Sequence, residues 1–234
     1  MKKLFLVANW KSNKTVSEAH SFMISFLNRD FITWMHSQDT DTNGNKQIVI
    51  CPSFTLLAEL DKLIKQHAPS FLLSLGAQNM SPFDKGPYTG EESAAQISEF
   101  AKYVILGHSE RRLNFKETDQ QVEEKVAIAR KYQLEPIVCV QGKNTPVPQG
   151  VHIVAYEPLD AISTGQVGEP ASPERAEEVA HFLKHERHIP YVLYGGSVDP
   201  SNVRQYTSLE SINGVLIGGA SLDPVSFSQI IQNA

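Results

Sequence analysis

The most informative stretch of this chain is Tyr103-Val104-Ile105-Leu106-Gly107-His108-Ser109-Glu110-Arg111-Arg112. It begins as an apolar run of strand length and ends in a histidine, a carboxylate and two guanidiniums. Ionisable groups at the end of a buried strand must form pairs or lose their hydration at a cost in free energy. One interpretation is a helix start held by salt bridges. The other, which the density of ionisable groups favours, is a functional site at the carboxyl end of a strand.

Apolar runs of the same kind recur along the chain. They cover residues 4–8, 48–51, 72–76, 104–106, 137–140, 153–155, 192–194 and 215–217. Segments with helical spacing lie between them, at residues 17–27, 55–66, 119–132, 173–185 and 224–232. Continuous apolar strands that alternate with amphipathic helices predict a parallel sheet covered by helices. Eight such strands in 234 residues favour a closed (β/α)8 barrel, whose active site lies at the carboxyl ends of the strands.

Composition limits the classes of protein and partner. Hydrophobic residues make up 41% of the chain and no linker-like break divides it, which predicts a single domain over residues 1–234. The net charge is −5 without a basic block, so neither nucleic acid nor a membrane is an expected partner. Cys51 and Cys139 lie in apolar runs and are expected to be buried thiols. The first strand lacks a signal-peptide cleavage pattern, which predicts a cytoplasmic protein.

Several ligand classes are disfavoured by missing motifs. No Gly-x-Gly-x-x-Gly follows the first strand, and no phosphate-binding loop with Lys-Ser/Thr occurs, so a nucleotide cofactor is not expected. Residues 30–47 are rich in Asp and Asn but lack the glutamate spacing of a calcium loop. We therefore expect no metal and interpret residues 30–47 as an extended, mobile surface connection.

Two further strand ends carry groups suited to proton chemistry. Asn9 and Lys11 follow the first strand, where they bring an amide and a positive charge to the place at which a barrel holds its substrate. Glu157 follows the sixth strand and precedes Pro158, so water exclusion would turn it into a base. The structural alternatives are a surface lysine and a helix-capping acid.

Glycine pairs end the last two strands, as Gly195-Gly196-Ser197 and Gly218-Gly219. Paired glycines let backbone amides approach an oxyanion, and barrels often hold phosphate at these two loops. After Glu157 comes a run of small residues bounded by prolines, which predicts a lid that moves as a body. Its residues are Pro158, Leu159, Asp160, Ala161, Ile162, Ser163, Thr164 and Gly165.

Taken in chain order, these strand ends resemble the triosephosphate isomerase family. The motifs that carry the resemblance are Asn9-Trp10-Lys11, Gly76-Ala77-Gln78-Asn79, Tyr88-Thr89-Gly90-Glu91, Gly107-His108-Ser109-Glu110-Arg111-Arg112, Ala155-Tyr156-Glu157-Pro158, Tyr194-Gly195-Gly196-Ser197-Val198 and Gly218-Gly219-Ala220-Ser221. The resemblance runs from Lys3 to the last helix. It implies a homodimer without cofactor or metal that interconverts dihydroxyacetone phosphate and D-glyceraldehyde 3-phosphate.

The resemblance also implies a role for each matching residue. Glu157 would carry the proton between substrate carbons, and His108 would polarise the carbonyl oxygens. Lys11 and Asn9 would stabilise the negative charge of the enediolate, and Glu110 would support the lysine. The substrate phosphate would lie on backbone amides near Ser163, Ser197, Gly218 and Gly219. The loop at residues 78–92 would enter a second subunit with Tyr88 and Thr89 at its tip.

The chain departs from the family pattern in two places. After strand five, residues 141–151 contain two prolines and leave no room for the usual helix, so we expect that helix to be missing. In the lid, Asp160 stands where the family usually has tryptophan, and Ser163 stands where it generally has glycine. The changes at Asp160 and Ser163 predict altered lid opening with the catalytic groups intact. A further hypothesis is that Ile162 and Leu216 cover Glu157 as apolar groups and raise its basicity.

Two other functions stay open at this point. One is an isomerase of a tetrulose or tetrose phosphate, which would use the same base and electrophile with an altered lid. The other is a phosphate-binding homologue without turnover, in which Glu157 or His108 would be expected to be replaced. Both residues are present.

Overall fold

The computed structural model describes residues 2–39, 45–67, 72–158 and 171–234, in which eight parallel strands form a closed barrel in chain order. The strands are β1 (Leu4–Asn9), β2 (Lys46–Cys51), β3 (Leu73–Ala77), β4 (Tyr103–Leu106), β5 (Glu135–Val140), β6 (Ile153–Tyr156), β7 (Tyr191–Tyr194) and β8 (Gly214–Ile217). Strand β1 closes the barrel, because its Val7 lies opposite both Val49 of β2 and Leu216 of β8. The predicted (β/α)8 barrel is confirmed.

Helices follow most strands and cover the outside of the barrel. Those of the described residues are α1 (Val16–Phe26), α2 (Arg29–Asp39), α3 (Phe54–His67), α4 (Ala94–Ile97), α5 (Ser109–Phe115), α6 (Asp119–Lys131), α7 (Pro173–His185), α8 (Val203–Thr207) and α9 (Pro224–Asn233). Local sequence explains where they begin. Thr118 and Gln121 form a capping box at α6, and Ser172 caps α7 ahead of a proline in its first turn. None of the helices in these described ranges is long and apolar enough to cross a bilayer.

The strands are buried on both faces, which explains their continuous apolar runs. One face lines the barrel interior, where Phe5, Val7 and side chains from the other strands form a separate cluster. The opposite face packs against the helices, so that Leu6 and Ala8 of the same strand belong to the outer core. Because successive strand residues point to opposite sides, both clusters are built from alternating positions of the same strands.

The prediction of an extended connection over residues 30–47 is wrong at both ends, because its first part is a helix and Lys46 and Gln47 belong to β2. Residues Arg29–Asp39 form α2, in which Phe31 and Met35 are buried one helical turn apart. The ring of Phe31 lies 4.5 Å from that of Phe26 on α1, and the Asn28 side chain accepts a hydrogen bond from the Phe31 amide. The apolar spacing of this short helix was hidden by the polar run that follows it. Residues 40–44 lie outside the described residues.

The expected loss of the helix after strand five is confirmed. Residues 141–152, all of them described, contain turns but no helix between β5 and β6. The Gln141 amide donates to Thr145 Oγ1 at 3.1 Å, and this turn takes the place of a first helical turn. In the same segment, Lys143 forms an ion pair with Glu178 of α7, with 2.6 Å between the lysine Nζ and the carboxylate Oε1.

Candidate active site

A cavity of about 370 Å³ opens at the carboxyl ends of the strands. It is lined by Asn9, Lys11, His108, Glu157, Gly195, Gly196, Ser197, Val198, Asp199, Leu216, Gly218, Gly219 and Ala220. These residues follow or end strands β1, β4, β6, β7 and β8, so barrel closure brings distant parts of the chain to one place. The structure therefore brings together four of the five predicted catalytic residues, and Glu110 reaches the cavity through its contact with Lys11.

Glu157 is the most deeply buried acid of the cavity, with 2% of its surface exposed. Its Oε1 lies 2.9 Å from Nε2 of His108, and its Oε2 accepts a hydrogen bond from the Ser109 amide at 2.9 Å. The Ser109 amide belongs to the first residue of α5, where the helix dipole favours a negative charge. The carboxylate is therefore held by His108 and a helix start.

His108 caps the amino end of α5 and is itself buried. Its Nδ1 accepts a hydrogen bond from the Glu110 amide at 3.2 Å, so in this geometry the ring proton lies on Nε2 and faces Glu157. Burial lowers the pKa of His108, but the charge and hydrogen bond of Glu157 outweigh it, so that the net pKa is raised. Glu157 thus controls the charge of the imidazole.

Lys11 has a left-handed backbone, with φ of 53°, which is strained for a residue with a side chain. Neighbours hold this conformation, because the Lys11 amide donates to Asn9 Oδ1 at 3.1 Å and Gln78 donates to the Lys11 carbonyl at 2.9 Å. The lysine Nζ pairs with Glu110 Oε1 at 2.5 Å. Glu110 therefore fixes the position of the positive charge at the cavity.

Gln78, for which the sequence indicated no role, supports Lys11. Its side-chain amide bridges the carbonyls of Lys11 and Cys51, at 2.9 Å each. The available signal was its position directly after β3, next to a motif that was already recognised. Cys139, a buried thiol on β5, interacts with Glu157 instead, and burial and then Glu157 raise its pKa.

The two guanidiniums of the opening stretch belong to ion pairs away from the cavity. Arg112 Nη1 lies 2.6 Å from Asp119, and Arg111 Nε lies 3.1 Å from Glu117. Glu117 is buried and is also bound by Lys125. Burial raises the pKa of Glu117. Lys125 and then Arg111 lower it by more than burial raises it, so the net pKa lies below the ordinary value of a glutamate. The salt-bridge interpretation is therefore correct for the arginines, whereas His108 belongs to the cavity.

The loops after β7 and β8 form one wall of the cavity, with Gly195, Gly196 and Ser197 from the first loop and Gly218 and Gly219 from the second; we call it the glycine wall. A Cβ on Gly196 would lie 2.2 Å from the hydroxyl of Tyr194, so only glycine fits there. Gly218 approaches Lys11, and a Cβ on it would lie 3.4 Å from the lysine Cε. Gly219 begins a 3-10 helix, Gly219–Leu222. Ser197, Gly218 and Gly219, which were predicted to hold phosphate, all line this wall.

The lid prediction falls almost entirely on residues that the structure does not describe. Leu159, Asp160, Ala161, Ile162, Ser163, Thr164 and Gly165 lie outside the described residues, whereas Pro158 is described and buried. Leu216 is 4% exposed and lines the cavity. A Cβ on Gly195 would meet both Glu157 Cγ at 3.0 Å and Leu216 Cβ at 3.7 Å, so these two side chains lie side by side.

The loop at residues 78–92 protrudes with exposed aromatic rings. Tyr88 stacks on Phe83 with ring centroids 4.4 Å apart, and both rings are partly exposed. The base of the loop is tied to the end of α6, because Asp84 binds Lys131 and the Tyr132 hydroxyl, at 2.5 Å each. Thr89 is exposed beside Tyr88.

Within the four described stretches, no three His, Cys, Asp or Glu side chains are grouped as metal ligands.

The fold and the cavity define a class of barrel enzymes that move a proton beside a carbonyl group on a phosphorylated substrate. The family model described as triosephosphate isomerase matches residues 4–152 and 147–234. This chain belongs to the triosephosphate isomerase family. It is an isomerase that interconverts dihydroxyacetone phosphate and D-glyceraldehyde 3-phosphate, and the resemblance noted in the sequence is confirmed.

Individual relatives match over their whole length. A triosephosphate isomerase of Mesomycoplasma hyopneumoniae (strain 232) is 36% identical over 256 residues and covers 100% of both chains. One of Endomicrobium trichonymphae is 36% identical over 264 residues and covers 99% of each. The crystal structure of triosephosphate isomerase from Bartonella henselae superimposes with a TM-score of 0.76 at 29% identity, covering 99% of this chain and 98% of that one.

Proposed function

We propose that Glu157 is the base that carries the proton between the two adjacent substrate carbons of the triose phosphate. The reaction removes a proton beside a carbonyl and leaves an enediolate, so it needs a base on one side and fixed donors on the other. The observation that carries this assignment is the position of Glu157, which is 2% exposed and 2.9 Å from His108 inside one cavity. Returning the proton to the neighbouring carbon, together with transfer of one hydroxyl proton from the first substrate oxygen to the second, completes the isomerisation.

His108 is proposed as the electrophile that polarises the carbonyl oxygens. Its Nε2 proton bonds Glu157 in this geometry, so substrate binding must separate the two groups. When the carboxylate moves to the substrate carbon, the charge that raises the pKa of His108 moves away with it. The imidazole then stays neutral and donates a hydrogen bond from its Nε2–H to the substrate oxygen. One movement thereby activates both groups.

Lys11 and Asn9 are proposed to stabilise the negative charge of the enediolate. Lys11 lines the cavity with its Nζ held by Glu110 at 2.5 Å, which positions a compact positive charge before substrate arrives. Asn9 supports the strained backbone of Lys11 and presents its amide to the same cavity. Glu110 acts through the lysine and is a positioning residue.

The phosphate of the substrate is proposed to lie on backbone amides of Ser163, Ser197, Gly218 and Gly219. The last three line the glycine wall, at the ends of β7 and β8, the two strands that follow β6 and Glu157 around the barrel. The lid segment, residues 158–165, would exclude water and hold the phosphate while the enediolate exists, which suppresses loss of phosphate.

We also propose that residues 1–234 act as a single domain in the cytoplasm.

A homodimer is proposed from the exposed apolar side chains. Phe83 and Tyr88 on the 78–92 loop are 48% and 39% exposed, and Leu113 and Phe115 on α5 are 58% and 69% exposed. Apolar surface of this size on a loop and a helix fits burial against a second copy of the chain. Sedimentation at micromolar concentration tests it, and a monomer there would overturn it.

The decisive experiment compares the wild-type protein with Glu157→Gln in a coupled assay with D-glyceraldehyde 3-phosphate. The substitution keeps the shape of the side chain and removes the base, so turnover is expected to fall about 10³-fold. Glu186→Gln, which changes an exposed glutamate after α7, is the matched control and is expected to keep full activity. Equal activity in wild type and Glu157→Gln would reject the proposed base. A parallel assay with a tetrulose phosphate tests the alternative substrate.

A further inference from the structure

Two stacked tyrosines bind both backbone groups of a single residue beside the cavity. The Ala171 amide donates to the Tyr194 hydroxyl at 2.9 Å, and the Tyr206 hydroxyl donates to the Ala171 carbonyl at 2.8 Å. The two rings are nearly parallel, with centroids 4.0 Å apart and 11° between their planes. Both tyrosines are fully buried, at 0% and 1% exposure. We call this arrangement the tyrosine clamp.

The tyrosine clamp joins three parts of the chain that serve the cavity. Ala171 lies directly before Ser172, the cap of α7, and is the first described residue after Pro158. Tyr194 ends β7, and its hydroxyl lies against Gly196 so closely that a Cβ there would be 2.2 Å away. Tyr206 lies on α8, which precedes β8 and the second glycine pair. A shift of Tyr206 would therefore move Tyr194 and, through it, the backbone at Gly196.

The hydroxyls of the clamp remain protonated in the pH range of the assay. Burial, and then a hydrogen bond with Tyr206, raise the pKa of Tyr194. Burial also raises the pKa of Tyr206. Because Ala171 is buried, removing the Tyr206 hydroxyl would leave its carbonyl without this partner, which is costly in a dry environment. The contact is thus a constraint on position.

We propose that Tyr206 is a positioning residue of the isomerase, which holds Ala171 and Tyr194 so that the Gly195–Ser197 backbone lies where the substrate phosphate binds. This rests on the proposed phosphate site and extends it to a residue that lines no part of the cavity. The Tyr206 hydroxyl bonds the Ala171 carbonyl, whereas Glu157 and His108 bond each other, so we expect loss of this hydroxyl to act at the phosphate end of the substrate.

The test is Tyr206→Phe, which keeps the stacked ring and removes only the hydroxyl. We expect kcat/KM for D-glyceraldehyde 3-phosphate to fall about fivefold to tenfold. Isomerisation of unphosphorylated glyceraldehyde is expected to stay within about twofold of wild type, since it uses the same base without the phosphate site. Inorganic phosphate, used as a competitive inhibitor, is expected to bind more weakly.

Matched variants separate positioning from general damage. Tyr103→Phe removes another buried tyrosine hydroxyl, at the amino end of β4, and is expected to leave both substrates and phosphate inhibition unchanged. If Tyr206 acts through Tyr194, the double variant Tyr194→Phe/Tyr206→Phe will lose no more than the larger single loss. Thermal melting of each variant confirms that it is folded.

Each outcome decides the matter. Selective loss on the phosphorylated substrate supports the proposal, whereas equal loss on both substrates, additive losses in the double variant or no loss at all overturns it. Failure of the proposed function is seen separately, as wild-type turnover of the triose phosphate that does not depend on Glu157.

Discussion

The Nε2 atom of His108 lies 2.9 Å from Oε1 of Glu157, although the two residues follow different strands, β4 and β6. The proposed base and the proposed electrophile are therefore bonded to each other before substrate binds. The pair keeps both groups satisfied inside a buried site, where an unpaired charge would be costly. It also makes the protonation of His108 depend on where Glu157 is.

We predict that Glu157→Gln lowers the pKa of His108. The carboxylate is the group that outweighs burial at this imidazole, and a neutral amide removes its charge. NMR titration of the His108 ring in the wild type and the variant measures the change. Glu186→Gln serves as the control and should leave the titration where it is. An unchanged pKa in Glu157→Gln would mean that Glu157 does not set it.

The same pair predicts a pH dependence of stability. A folded-state pKa of His108 above the unfolded value of about 6.5 contributes stability that is fully present below that value. This contribution is lost as pH rises through the folded pKa. The free energy of unfolding, measured with denaturant, should therefore be higher for the wild type than for Glu157→Gln by an amount that shrinks from mildly acidic to alkaline pH. A difference that grows with pH would contradict the assignment.

Leu216→Ala is expected to lower turnover as well as stability. Leu216 is 4% exposed beside Glu157, so truncation opens space next to the base and costs about 2–4 kcal/mol in the free energy of unfolding. Turnover should fall about tenfold, because water gains access to the carboxylate. Leu193→Ala removes an equal side chain from the same inner cluster but not from the cavity wall. Leu193→Ala should lose as much free energy of unfolding as Leu216→Ala but keep wild-type turnover. A loss of turnover in both variants would reject the role of Leu216.

Glu117→Gln is expected to destabilise the protein by about 3 kcal/mol or more, since it leaves Lys125 buried beside an uncharged partner. The pKa of Glu117 is lowered in the folded state, so its contribution is present above the unfolded value and is lost as pH falls through the folded pKa. Chemical denaturation at neutral and acidic pH should show the two proteins converging in acid. Exposed Glu124, changed to Gln on α6, is the control.

Asp84→Asn is expected to weaken the proposed dimer. Asp84 ties the 78–92 loop to Lys131 and Tyr132, and losing the charge frees the loop that carries Phe83 and Tyr88. Sedimentation over a range of concentrations should show a higher dissociation constant. Asp61→Asn, which breaks a comparable ion pair with Lys65 on α3, should not change it. Equal association of the two variants would show that Asp84 does not prepare the loop.

Most of the barrel was predictable because its strands are buried on both faces. A strand of this kind is apolar at every position, as in Val104-Ile105-Leu106, and needs no alternation to be recognised. Helix α2 was missed because its few buried residues, Phe31 and Met35, precede a polar run that dominates the local composition. The missing helix after strand five was predictable because proline excludes helix for a local steric reason.

The candidate site was predictable as a set of strand ends but not as a set of contacts. The order of motifs placed Asn9, Lys11, His108 and Glu157 at one end of a barrel. The charge cluster after β4 did not by itself separate His108 from Arg111 and Arg112, which form ion pairs outside the cavity; the resemblance to the family did so. The order of motifs also did not indicate Gln78 or Tyr206, whose partners are 67 and 35 residues away in the chain.

The strands and five of the nine helices in the described residues could be read from the chain, because steric and hydrophobic patterns act over a few neighbouring residues. The family could be read from the motifs at the strand ends. Which polar groups meet depends on how the whole chain folds. Lys11 and Glu110 are 99 residues apart, and Ser109 and Glu157 are 48 apart, yet each pair is bonded. Such contacts exist because eight strands close on each other, and the geometry of closure depends on the packing of the whole barrel.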